Sequence, residues 1–233
     1  MTVKEFSDEF DTLLDSFKLA YQHGQVENIP TLRLDEYEKS VFLTQAQEDL
    51  VISLYLGKGE TDSSYEETEE LRRYLDVLNV TEDIAAFNQG LGVSDDSLFV
   101  DKPSRLLYIT IERCQISSDN VCDDGKWIDV IPMRRDEFNI ERNNPFKRVR
   151  VWRIDHEHTL ELVPQSYSIV KYRIGYLRRP VPIVLEDFVD VDIHGVNTVT
   201  NCELNPVLHR VILRKAVQLA VTYMAVQAKT EQQ

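Results

Sequence analysis

The sequence is short of several things at once, and each shortage removes a class of protein. Its 233 residues include only three cysteines, eight glycines and eight prolines. Cys114, Cys122 and Cys202 are odd in number and show no CxxC spacing, which argues against a closed disulfide framework and leaves reduced, buried thiols. So little Gly and Pro excludes a low-complexity or fibrous chain, and a 42% hydrophobic fraction is too high for wholesale disorder. No stretch reaches the 18 or more apolar residues of a membrane span. The longest uncharged run of interest, residues 216–228, contains Gln, Thr and Tyr. The first residues, with Lys4, Glu5, Asp8 and Glu9, lack the basic and then apolar profile of a signal peptide, so the protein is expected to stay where it is made. Positive charge is scarce as well: 26 Lys and Arg face 40 Asp and Glu, a net charge of −14. A surface that binds DNA or an anionic membrane all over is excluded, because each phosphate contact needs a cation to replace a counterion.

What charge there is lies unevenly. Residues 1–100 hold 22 acidic and 7 basic side chains, whereas residues 101–233 hold 18 and 19. The acidic part reads as helical. Val3, Phe6, Phe10, Leu13, Leu14, Phe17 and Tyr21 recur at steps of three and four, and Thr2 with Glu5 has the spacing of a capping box. Gly24 and Pro30 break the pattern. Thr44 with Gln47 offers a second capping box, before Leu50, Val51, Leu54 and Tyr55, and Gly57 stands where a C-terminal cap belongs. Ser64 with Glu67 offers a third, leading into Leu71, Tyr74, Leu75 and Leu78, with Glu66, Glu67, Glu69 and Glu70 near the positive end of that helix dipole.

Residues 79–104 are mixed, and Gly90, Gly92 and Asp95-Asp96 point to a surface loop or short helix. From Leu106 the period changes to two, Leu107, Ile109 and Ile111 alternating with Tyr108, Thr110 and Glu112. Further strands are expected at 126–131, 147–154, 159–163 and 168–177. The Asp155-His156-Glu157-His158 turn joins two of them as a hairpin, so the sheet is expected to be antiparallel. Arg179-Pro180-Val181-Pro182 enforces an extended path, and residues 180–204 read as a long arm. Asn205 as N-cap and Pro206 at the first helical position open a last helix, apolar nearly all round from Ala216 to Ala228, which must bury more than one face. The expected class is α+β: a helical, acidic part (1–104), an antiparallel β region (105–179), an arm (180–204) and a C-terminal helix (205–233) packing on the helical part, together one composite domain.

Catalytic signatures are missing. The chain has no GxGxxG, P-loop, GxSxG or HExxH, and Asp123-Asp124-Gly125 and Asp190-Val191-Asp192 are too sparse for an EF-hand loop. His156 and His158 are possible metal ligands from one side of a strand, but no third ligand stands at a recognisable spacing, and an exposed turn is the simpler reading. His209, beside Arg210, reads as an interface or capping group. The expectation is a protein without cofactor, metal or catalysis. More informative is the basic, aromatic middle, where Arg148, Arg150, Trp152, Lys171, Tyr172, Arg173, Tyr176, Arg178 and Arg179 interleave cations with rings. Such a set suits subunit contact, since arginine and aromatic side chains are enriched in interfaces and residues 1–100 offer a complementary acidic surface. It also suits single-stranded nucleic acid, with strands 148–179 as the binding face. The expected interface residues are Arg148, Arg150, Trp152, Arg173, Arg178, Arg179, Pro180, Pro182, His209 and Arg210.

Four segments carry a resemblance: the run from Leu34-Asp35-Glu36-Tyr37 to Gln47-Glu48, then Arg72-Arg73-Tyr74-Leu75, then Tyr176-Leu177-Arg178-Arg179-Pro180-Val181-Pro182-Ile183, and Cys202-Glu203-Leu204-Asn205-Pro206 through His209 and Ala216. Together they resemble the virion structural proteins of crAss-like podophages infecting Bacteroidales, in particular the ring, or head-to-tail connector and tail-stabilisation, proteins. The resemblance implies a helical bundle with an inserted or appended β region. It also implies a ring in the multi-ring tail barrel below the portal, typically of twelve copies, assembled in the host cytoplasm. The implied partners are further copies, the portal and other ring proteins, with DNA passing through without tight binding and no membrane.

Overall fold

Caps at both ends of the sequence set where its helices begin, and a polar stretch between them turns into a sheet. The computed structural model describes residues 1–22, 33–57, 69–118, 122–141, 150–165 and 167–230. In chain order the first elements are helices α1 (Val3–Gln22), α2 (Glu36–Leu56) and α3 (Glu69–Leu75), followed by a 3-10 turn. Next come strands β1 (Asn79–Ile84), β2 (Asn88–Gln89), β3 (Leu98–Asp101), β4 (Leu106–Ser117) and β5 (Trp127–Met133), and the short helix α4 (Phe138–Glu141). Strands β6 (Val151–Asp155), β7 (Thr159–Pro164) and β8 (Ser168–Arg178) precede the last helix, α5 (Pro206–Thr230). The class is α+β. The chain divides into a helical unit, residues 1–77 with 180–233, and a β unit, residues 78–179.

In the helical unit the Thr2 and Glu5 side chains bond each other's backbone N–H groups, as the capping-box spacing requires. Phe6, Phe10 and Leu14, one turn apart, are buried. Helix α2 starts earlier than its expected box. Asp35 is the N-cap and Glu38 completes the reciprocal pair, so Thr44 and Gln47 lie inside the helix, where their side chains are buried. Gly57 ends α2 in the left-handed conformation (φ 66°), its N–H reaching the Ser53 carbonyl, as expected. The Ser64–Glu67 box and Glu66 lie outside the described residues. Asn205 caps α5 through the Val207 N–H at 3.1 Å, with Pro206 as its first residue. Helix α5 packs along α1 and α2, burying Leu208, Ile212, Leu213, Ala216, Val217, Ala220, Val221 and Met224. It leaves Val207, Val211, Tyr223 and Val226 outside, so two neighbours cover it without enclosing it.

The β unit is one eight-stranded sheet in the order β1-β8-β4-β5-β6-β7-β3-β2. The expected hairpin of β6 and β7 is present, and every pairing is antiparallel save one. Strands β5 and β6 run parallel, a pairing that a tight hairpin turn cannot make. The β region also begins at Asn79 rather than at 105. Strand β1 pairs with β8 over six residues, and β3 pairs with β7 over four. Strand β3 was hidden by its length of four residues and β1 by composition: it is Asn-Val-Thr-Glu-Asp-Ile, a polar edge strand whose partner supplies the order that its own hydrophobicity does not. The β6–β7 ribbon is buried on both faces. Val151, Leu160 and Leu162 join the main core with Cys114, Tyr172 and Ile174, while Trp152, Ile154 and Val163 pack under Phe138 on the other side. Each such large side chain contributes about 1.5–3 kcal/mol by leaving water.

Candidate subunit interface

The arm is not free along its length. Residues 180–185 lie extended against α2, where side chains take the place of a partner strand. Gln47 donates to the Val181 carbonyl (2.9 Å), Thr44 accepts from the Ile183 N–H (3.1 Å), and Ser40 accepts from the Leu185 N–H (3.0 Å). The Val181 N–H goes to the Glu203 carboxylate at 2.7 Å, and Val184 bridges to Thr200 in both directions. Every N–H of the buried stretch is satisfied, Pro180 and Pro182 having none to satisfy. Both prolines, with Ile183, Val184 and Leu185, are buried. What reaches solvent is the following loop, with Glu186, Asp187, Val189, Asp190, Val191 and Asp192 exposed. Sequence reasoning missed Ser40 and Gln47 as arm-binding groups. Their signal was spacing: polar residues at 40, 44 and 47 recur on one helical face amid buried neighbours.

The expected basic and aromatic set divides sharply. Arg148 lies outside the described residues, and Arg150 is half-buried. Trp152 is 1% exposed, edge-on to Phe138 at 5.7 Å between centroids, so it belongs to its own unit's core rather than to a surface. Arg173 donates twice to Asp83 (2.6 and 2.9 Å) and lies 4.5 Å over the Trp127 ring. The register places Asp83, Arg173, Arg113 and Asp129 in one row across β1, β8, β4 and β5. Arg113 bonds Asp129 at 2.9 Å, so the two adjacent arginines in the middle of the row are each engaged by a carboxylate at its outer end. Hydrogen bonding from Arg173 holds the Asp83 carboxyl at about 2, from an ordinary 3.8. Arg178 is half-buried. Arg179 is exposed and donates its N–H to the Arg105 carbonyl.

Deeper in the sheet, Arg153 bonds Glu112 (2.8 Å), which also accepts from the Tyr172 hydroxyl. Burial raises the Glu112 carboxyl above its usual value against the pull of Tyr172 and Arg153. Tyr176 donates to Glu82. The two tyrosines are thus buried and the main cations paired, and the stacking platform that single-stranded nucleic acid requires is not assembled from them.

His209 is buried. Its Nε2–H donates to the Leu204 carbonyl (2.9 Å), its Nδ1 accepts from the Met1 ammonium (2.8 Å), and burial lowers its pKa. It therefore closes the helical unit instead of facing a neighbour, while Arg210 beside it is exposed. His156 bonds the buried Glu161 at 2.8 Å, and His158 stands beside Glu157 in the exposed turn. Burial disfavours ionised Glu161, but bonds from Ser97, His156 and the Val93 N–H outweigh it and lower its pKa. Gly92 is required here, because a Cβ would collide with the Glu161 carboxylate and Ser97. Among the described residues no three His, Cys, Asp or Glu side chains gather to hold a metal ion.

The charge asymmetry survives folding and sharpens. The helical unit has 24 acidic and 11 basic side chains, the β unit 16 and 15. Within the β unit, Lys102, Arg113, Lys126, Arg153, Lys171 and Arg173 are each paired with a carboxylate of the same unit. Residues 1–232 match the family described as phage tail ring protein 3/4. Ring protein 3 of Bacteroides phage crAss001 is 42% identical over 228 residues, covering 95% of each chain. Ring protein 4/5 of the same phage is 30% identical over 238 residues, covering 94% of this chain and 92% of its own. On a family match over residues 1–232 and a relative 42% identical across 95% of its length, the chain belongs to the phage tail ring protein 3/4 family, structural ring proteins of crAss-like phages.

Proposed function

We propose that this protein closes into a multi-copy ring, a dodecamer, within the portal-proximal tail barrel, where it docks on related rings and surrounds the path of the DNA. The observation that carries the reading is the family match across residues 1–232. Two relatives in one phage are different rings built on the same kind of chain, which supports stacking of like on like. The greater identity to ring protein 3 favours that level of the stack. A closed ring needs two different faces on each copy, and the segregated charge provides them. Leaving aside Arg173, which Asp83 engages, Arg150, Arg178, Arg179 and Arg210 are the members of the expected set that reach solvent wholly or in part among the described residues, and they are the side chains proposed for contact. Acidic groups of the helical unit, turned to the lumen, repel phosphate and keep passage fast.

Native mass spectrometry and electron microscopy of the purified protein, alone and with the adjacent tail proteins, test this directly. The expected result is a high-order ring. A monomer that persists across protein concentrations and in the presence of those partners overturns the reading.

A further inference from the structure

The helical unit carries two surface patches that complement each other. The first is a cleft of about 360 Å³ between α1 and α5, walled by Glu9, Thr12, Leu13, Arg210, Leu213 and Arg214. Val207 and Val211 extend it along the outer side of α5, Val207 being 64% exposed. Arg210 and Arg214 form no ion pair among the described residues, and both are exposed. The patch therefore presents two unspent cations beside uncovered apolar surface.

The second is the loop that follows the buried part of the arm. Its shape is fixed from within: Asp187 accepts from the Val199 N–H (2.7 Å), and Asp192 from the Gly195 N–H (2.8 Å). The Phe188 N–H reaches the Asn197 carbonyl (2.8 Å), and its ring stands edge-on to Tyr37 at 5.3 Å. Held in this way, the loop presents Glu186 and Asp190, whose carboxylates form no hydrogen bond or ion pair among the described residues, with Val189 and Val191 between and beside them. Val189 is 92% exposed, an apolar side chain that a rigid loop displays to water. Acid and valine on the loop answer arginine and valine at the cleft.

We propose that the loop of one copy seats in the α1–α5 cleft of the next, Val189 against the valines of α5, and Glu186 and Asp190 facing Arg210 and Arg214. The loop rests on α2 and the cleft lies between α1 and α5. The contact joins unlike patches and propagates head to tail, as a closing ring demands. A second copy is the occupant because both halves of the match lie on this one chain, in charge and in apolar content. The inference rests on the ring reading and gives it a contact.

Two double variants test it, with native mass spectrometry as the readout: E186K/D190K, which turns the loop basic, and R210E/R214E, which turns the cleft acidic. All four positions are exposed, and circular dichroism checks that each variant stays folded. Each variant alone should need at least tenfold more protein than wild type to form rings. Their equimolar mixture should form rings readily and with strict alternation, because each loop then meets a cleft of opposite sign. The inference is overturned if either variant alone assembles like wild type, or if the mixture fails where wild type succeeds. It is also overturned if only binding to a neighbouring ring protein is lost, which makes that protein the occupant. A wild-type chain that never forms rings, with or without its tail partners, instead removes the ring reading itself.

Discussion

Single hydroxyl and amide groups decide how the arm is held. Thr44 would be unremarkable in a helix, yet its Oγ1 takes the Ile183 N–H in a fully buried setting. Removing it leaves a donor with no water to turn to. T44V should therefore cost about 1–3 kcal/mol in urea unfolding, whereas T44S, which keeps the oxygen, should lose much less. Equal loss in both would assign the effect to packing instead. Lys39 shows the same economy in charge. Burial alone would lower its ammonium, but the hydrogen bonds it donates to Asp11 and Glu36 prevail and raise it, so an almost inaccessible cation stays ionised.

Among the elements, edge strand β1 depends on its neighbour more than on its own sequence. Asp83 joins it to β8 through Arg173, and that bond depresses the carboxyl to about 2 from 3.8. Across this window the unfolded chain binds the proton and the folded one does not. The stabilisation is thus complete above about pH 4 and fades as the pH falls toward 2. D83N should flatten that part of the pH–stability curve, and the loss of β1 amide protection at acid pH should appear in the variant already at neutral pH. The same strand marks the limit of what sequence made legible. Helices α1, α2 and α5 and strands β4 to β8 announce themselves by period and caps, because each buries a face of its own. Strand β1 has too few apolar side chains to do so and β3 too few residues, and their place is set by pairing with residues about 60 to 100 positions later. The expected contact residues could be sorted only by the fold, for a related reason. Arginine and tryptophan advertise contact, but only the fold tells that Trp152 faces inward under Phe138 and that Arg173 is already engaged by Asp83.

For the whole molecule, net charge and its placement govern what passes by. With −14 overall and Arg153, Lys171 and Arg173 already engaged by carboxylates, the protein should not retain duplex or single-stranded DNA at micromolar concentration in moderate salt, as the proposed conduit role requires. Gel-shift titration checks this, and a shift that weakens steeply with added salt would favour the nucleic-acid reading instead. The helical unit is made from both ends of the sequence, and residues 78–179 form a single excursion out of it and back. Asn79 pairs with Leu177, so this excursion leaves and returns at neighbouring positions of one ladder. It is a cassette: a change of strand length inside it leaves the spacing of its two ends, set by the Asn79–Leu177 pair, as it was, and that spacing is what the helical unit has to bridge.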